Sequence, residues 1–211
     1  MMERALDFAE PFFSVSYLLE VERREVGPKS IVVNLSPQPL RILDQALAFF
    51  RSVVVTNTSL REVRRCLLVE DFERYGDAQS LFERIKKTWV LAYEATREQR
   101  HKGVALWRSP KDRLGNVEVN MCYADTVPLK VGLHRLHWGG QTFREVHTQI
   151  VGYGKMQQCR EQDLQTLYLE EALAPGATHQ PMLRPAGQLP VAPVRDHHPG
   201  GIHADRDAAQ R

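Results

Sequence analysis

GLHRLHWGGQTFREVHTQIVGYGKM, residues 132–156, places His134, His137, Glu145 and His147 within fourteen residues and follows them with Gly152-Tyr153-Gly154. Three imidazoles and one carboxylate form a donor set that suits a divalent transition metal: Fe, Mn, Ni, Cu or Zn. Side chains two apart on a strand share a face. Glu145, His147 and Gln149 therefore project together, and Val146, Thr148 and Ile150 project the other way. Inside a small barrel the first set lines a cavity. His134 and His137 are three apart and fall on opposite faces of a regular strand, so only one joins Glu145 unless a bulge intervenes. The glycines suit a tight turn between strands, where a positive φ carries no steric cost. The stretch predicts a metal site on a β-scaffold.

Around this stretch the pattern is that of short strands. Val117, Val119, Met121 and Tyr123 alternate with Glu118, Asn120 and Cys122, a period of two. Residues 129–137, 143–151, 155–159 and 164–174 follow as further strand-like runs separated by glycine, proline or polar clusters, which suggests an antiparallel sandwich or barrel. Upstream, residues 12–21 and 30–35 read as strands. From Pro39 to about Val54 the apolar residues Leu40, Ile42, Leu43, Leu47 and Phe50 fall near helical spacing. Ser59-Leu-Arg-Glu62 and Ser80-Leu-Phe-Glu83 both match the helix capping box. Leu81, Ile85 and Trp89 recur every four residues, as on a helix packed against a core. The expected organisation is an N-terminal region of strands and helices (1–103), a β-barrel (104–182) and a tail (183–211).

The tail contains no Phe, Tyr or Trp and carries Pro185, Pro190, Pro193 and Pro199. Such a segment buries too little apolar surface to offset its chain entropy, and disorder is expected. A second reading is a single-base insertion near Met182. Read one base later, codons for residues 187–194 permit Gly-Asn-Tyr-Pro-Trp-His-Gln-Tyr, a phrase of strand character that includes a histidine.

The metal-site stretch resembles the cupin family. The first cupin motif has two histidines, a glutamate and a glycine seven residues after it, and Glu145 and Gly152 hold that spacing. The histidines here read His-x-x-His rather than His-x-His, and the gap from His137 to Glu145 is longer than usual, so His147 is a third contender for the ligand position. Leu173-Ala-Pro-Gly176 followed by His179 looks like the start of the second motif, whose closing part is absent. The resemblance covers roughly residues 116–181. It implies a mainly β fold, a cupin-like antiparallel β-barrel or jelly roll, to which the capping boxes and four-residue recurrence add an N-terminal helical region. It also implies a homodimer and a metal-dependent dioxygenase, isomerase or lyase acting on a small polar organic molecule. In that reading Glu145 is a ligand or general base, while Gln149 and Tyr153 orient the substrate. The competing functions are a non-catalytic small-molecule-binding or sensory barrel and an inactive, truncated family member.

Each residue also has an ordinary role. His134 or His137 alone is equally well a hydrogen-bonded strand residue, and Tyr153 a packing aromatic of a turn. His179 is a loop or entrance histidine, and His197, His198 and His203 look like an accidental His-rich tract. An ionisable pair such as Glu145 and His147 inside a sheet is costly unless satisfied, which favours a site.

The bulk properties exclude several classes. A net charge of +2, with scattered basic residues, argues against nucleic-acid or anionic-membrane partners. Three cysteines without a Cys-x-x-Cys argue against a disulfide framework and fit a cytoplasmic setting. Glu3, Asp7 and Glu10 are inconsistent with a signal peptide. No apolar run approaches the ~20 residues that cross a bilayer.

Overall fold

The computed structural model describes residues 1–9, 13–74, 78–124, 143–161, 163–179, 194–196 and 201–207. The N-terminal strands in chain order are β1 (Met2–Ala5), β2 (Ser14–Val26), β3 (Ser30–Asn34), β4 (Leu40–Ile42), β5 (Gln45–Leu47), β6 (Ser52–Val55) and β7 (Thr58–Glu70). They form a sheet in the order β1-β2-β7-β3-β6, with β4 and β5 as a separate hairpin. The antiparallel pair β2 and β7, thirteen residues each, is its backbone. Val15 and Tyr17 of β2 and Leu67 and Val69 of β7 enter the principal core. Leu18, Val21, Leu60, Val63 and Leu68 fill a second cluster on the other face. The alternation changes phase near Glu20 and Glu62, whose φ angles of 50° and 51° are left-handed. That phase change turns Val21 and Val63 toward the second cluster.

The remaining elements are α1 (Ala78–Thr88), β8 (Val90–Leu91), α2 (Ala92–Thr96), β9 (Leu106–Arg108), β10 (Asp112–Leu114), β11 (Val117–Ala124), β12 (Phe143–Gln149), β13 (Gly154–Cys159), β14 (Leu167–Leu173), β15 (Val194–Asp196) and β16 (Gly201–Asp207). A second sheet runs β12-β16-β11-β9-β8 with β10 also on β11, and a third runs β14-β13-β15. Val117, Val119, Met121 and Tyr123 of β11 and Val146 and Ile150 of β12 pack into the same principal core as the first sheet. Burying each such side chain contributes about 1.5–3 kcal/mol. The core thus joins residues on both sides of Gly103.

The architecture is mainly β, and the predicted strands at 12–21, 30–35, 117–123, 143–151 and 155–159 are present as β2, β3, β11, β12 and β13. The expected strand at 129–137 lies outside the described residues. The N-terminal helical region is corrected. Residues 39–54 form β4, β5 and β6, because Leu40 and Ile42 are buried while Arg41 between them is exposed, a period of two. Leu43 and Phe50, with φ of 52° and 55°, also break any helix. The Ser59–Glu62 capping box lies inside β7, where pairing along the full length of β2 outweighs a local helix start. The second box lies within α1, which buries Ile85, with Trp89 buried just past its end, as the spacing predicts.

Two pieces of the tail, expected to lack structure, are strands. β16 is an inner strand that pairs with β11 on one side and β12 on the other. It satisfies backbone donors and acceptors along both neighbours, which explains how a segment poor in large apolar residues holds a place in the sheet. No helix among the described residues is long and apolar enough to cross a membrane.

Candidate metal centre

β12 carries the core of the site. Val146 and Ile150 are fully buried in the principal core, so alternation assigns His147 and Gln149 to the opposite face. Residues 176–179 run along the free edge of β12. The Gln149 N–H donates to the Ala177 carbonyl at 2.9 Å, the Gly176 N–H to the Gln149 carbonyl at 2.8 Å and the His179 N–H to the His147 carbonyl at 3.3 Å. Thr148 and Thr178 pair across this edge as an antiparallel bridge, which sets His179 beside His147.

The two imidazoles lie with ring centres 5.0 Å apart and planes at 85°. His179 is fully buried, His147 is half-buried, and both Nε2 atoms are inaccessible to solvent. A metal–nitrogen bond of about 2.0–2.1 Å puts a bound ion roughly 3.2 Å from each ring centre. Two imidazoles on one ion, at ligand angles between octahedral and tetrahedral, then have centres roughly 4.5–5.3 Å apart. The observed 5.0 Å lies within that range, which is also an ordinary separation for edge-to-face rings.

A chain of hydroxyls fixes the segment that carries His179. Thr148 Oγ1 and Thr178 Oγ1 are 2.5 Å apart, Thr178 Oγ1 donates to Ser52 Oγ at 2.6 Å, and Ser52 Oγ donates to the Gly176 carbonyl at 2.6 Å. The Arg51 guanidinium donates to the Thr178 carbonyl at 3.3 Å. Ser52 belongs to β6, so these bonds bind the histidine segment to the first sheet. Gly176 has φ of +85°, and a Cβ there would overlap Val54 Cγ2. Only glycine satisfies both constraints.

The expected site residues are distributed unevenly. His134 and His137 lie outside the described residues. Glu145 sits on β12 two residues before His147, at the register position opposite Asp205. Gln149 is buried and donates from Nε2 to the Val151 carbonyl at 2.7 Å, toward the following turn. Tyr153 is 63% exposed on that turn. His179 was underweighted by sequence reasoning; the Pro175-Gly176 turn before it was the available signal. Among the described residues no group of three or more His, Cys, Asp or Glu side chains is clustered as for a metal ion. An open concavity of about 300 Å³ elsewhere, lined by Ser36, Gln38 and Arg64 among others, lies on the first sheet. Its Arg64 is paired to Glu20 at 2.7 Å.

No protein-family model and no curated protein matches the chain. Solved structures overlay on it at low similarity. A variant of Bacillus subtilis oxalate decarboxylase does so with TM-score 0.38 and 8% identity, covering 100% of this chain and 78% of that one. AerE from Microcystis aeruginosa overlays with TM-score 0.37 and 10% identity, covering 99% and 98%. Lactobacillus farciminis oxalate decarboxylase, solved as a formate complex, overlays with TM-score 0.36 and 10% identity, covering 97% and 80%. Likenesses this distant say nothing of what this chain is, binds or does, and the fold itself is mainly β.

Proposed function

We propose that the chain is a metal-dependent, cupin-like enzyme that acts on a small polar organic molecule by dioxygenase, isomerase or lyase chemistry. The observation that carries this reading is the approach of the His147 and His179 rings to 5.0 Å, from β12 and the segment bridged to its edge. Glu145, two residues before His147 on β12, is the nearest carboxylate in sequence to join them, with His134 or His137 as a further imidazole. A divalent transition metal held there supplies Lewis acidity toward a carbonyl or hydroxyl oxygen. The chain's own residues hold that position. His147 and His179 provide neutral nitrogen donors, Glu145 provides charge or accepts a proton, and the Thr148–Thr178–Ser52 chain keeps His179 in register.

The test is turnover of a panel of small hydroxy- and keto-acids by protein stripped with chelator and then reloaded with single metals. Metal-restored turnover, lost in Glu145→Ala, supports the enzyme. Metal-independent binding of a metabolite without turnover supports a sensory barrel and contradicts the proposal.

A further inference from the structure

The concavity of about 300 Å³ on the first sheet gathers side chains that the metal centre does not use. Leu19 of β2 pairs with Arg65 of β7, and both line it together with their neighbours Glu20 and Arg64. The turn that follows β3 supplies the rest of the lining, from Ser36 to Gln38. That turn is fixed from beneath. Asn34, fully buried, accepts the Ser36 N–H at 2.9 Å and donates to the carbonyls of Gln38 at 3.0 Å and Leu47 at 2.9 Å. The Leu35 N–H donates to the Arg65 carbonyl at 3.0 Å, which ties the turn to β7 beside the arginines.

The donors of this place are only partly used. The buried Ser36 hydroxyl accepts the Gln38 N–H at 3.0 Å. Its own proton and the Gln38 side-chain amide meet no hydrogen-bond acceptor among the described residues. Arg65, half-buried, donates to Asn116 Oδ1 at 2.9 Å, and Arg64 donates to Glu20 at 2.7 Å. A guanidinium carries five N–H donors, so each arginine keeps others to offer. The Arg64 and Glu20 side chains are 59% and 51% exposed, and an ion pair that open to solvent is weak enough for another anion to compete with. Glu20 holds its left-handed φ of 50° in mid-strand, a costly setting of the kind that gathers at ligand sites.

Two guanidiniums against one carboxylate make the lining attractive to anions. Guanidinium forks match the paired oxygens of carboxylates and phosphates. Leu19 and Pro37 add apolar wall, and the volume is at the lower end for small-molecule sites. We propose that this concavity binds a small organic oxyanion, a carboxylate or a phosphate ester. Arg65 and Arg64 hold its charge, Ser36 and Gln38 donate hydrogen bonds to it, and it displaces the Glu20 carboxylate from Arg64. The site is independent of the histidine pair, since none of its residues belongs to β12 or to residues 176–179.

The test is titration of the full chain with phenyl phosphate, benzoate and inorganic phosphate, followed by the NMR shifts of the Gln38 side-chain amide and the arginine Nε–H groups. Saturable shifts at these groups with phenyl phosphate or benzoate are expected, and whichever of the two binds tighter identifies the phosphate ester or the carboxylate as the ligand class. Arg65→Gln is expected to weaken binding about tenfold or more, and Glu20→Gln to tighten it several-fold. Arg61→Gln, an exposed arginine of β7 outside the concavity, should leave it unchanged, and circular dichroism checks that each variant folds. Absence of saturable shifts with all three anions would overturn the site, as would equal affinities in Arg65→Gln and Arg61→Gln or weaker binding in Glu20→Gln. Inorganic phosphate binding as tightly as phenyl phosphate would overturn an organic ligand. Shifts lost in His147→Ala but kept in Arg65→Gln would place the anion at the histidine pair and overturn this proposal alone.

Discussion

Thr178 Oγ1 donates to Ser52 Oγ at 2.6 Å, and through this contact the segment that carries His179 is tied to a strand of the opposite sheet. The same Thr178 hydroxyl meets Thr148 of β12 at 2.5 Å. One hydroxyl therefore joins three pieces of backbone, and the position of His179 depends on a network that is 5% exposed at Thr178 and 2% at Thr148.

Replacing Thr178 with valine keeps the shape and removes the hydroxyl. Ser52 and Thr148 each lose a buried partner, at a cost of about 1–3 kcal/mol. Urea denaturation of Thr178→Val is expected to show a lower midpoint with an unchanged slope, whereas Thr178→Ser restores most of the loss. Equal stability of the valine variant would show that the hydroxyl chain holds nothing.

Gly176→Ala places a β-carbon on a left-handed residue and against Val54 Cγ2. The backbone term alone is of order 1–3 kcal/mol, and the overlap adds to it. A thermal midpoint several degrees lower is expected, on the order of 4 °C or more. Metal affinity should fall with it, because Gly176 sits three residues before His179. A midpoint unchanged within error would contradict the close approach.

Glu118 titrates below the ordinary carboxylate range because Arg113 and Lys111 both hydrogen-bond its carboxylate. The folded state therefore favours the charged form. That contribution is present above the unfolded value, near 4.5, and is lost as the pH falls through the lower folded value. Between about pH 5 and pH 3, wild-type protein is expected to lose more stability than Glu118→Gln. Parallel stability–pH curves for the two proteins would show that these ion pairs contribute nothing.

Cys66 is fully buried in the second cluster. Burial pushes its thiol up to about 12, with the Glu3 charge adding to the effect. The thiolate is the reactive form, so the Cys66 peptide should remain unlabelled by iodoacetamide in native protein near pH 8 and be labelled on unfolding. Rapid native labelling of Cys66 would contradict its position.

Much of the architecture was legible in the chain. The alternation of Val117, Val119, Met121 and Tyr123 and the aromatic, β-branched run at 12–21 each fix a strand by burying one face. The helix with Ile85 and Trp89 was legible from its four-residue recurrence. Residues 39–54 were misread because Leu40, Ile42 and Leu47 satisfy both a loose helical spacing and short paired strands, and only the pairing of β4 with β5 decides. Glu62 sits in a strand despite a capping pattern because its neighbours Arg61 and Val63 pair with Arg23 and Val21, some forty residues upstream and beyond the reach of any local signal. Of the site, His147 and Gln149 sharing a face follows from period two alone. The neighbourhood of His147 and His179 does not, since it depends on which sheet edge the Pro175-Gly176 turn meets. The strand at 201–207 was least legible, because its place in the sheet is set by backbone pairing with β11 and β12, strands far from it in sequence.

The central claim is that His147 and His179 hold one cation between them, and cobalt(II) titration of metal-free protein followed by visible absorption tests it most directly. A ligand-field band that saturates in wild-type protein, with affinity about tenfold or more weaker in both His147→Ala and His179→Ala, is the expected result. Bands and affinities unchanged in both folded variants would contradict it.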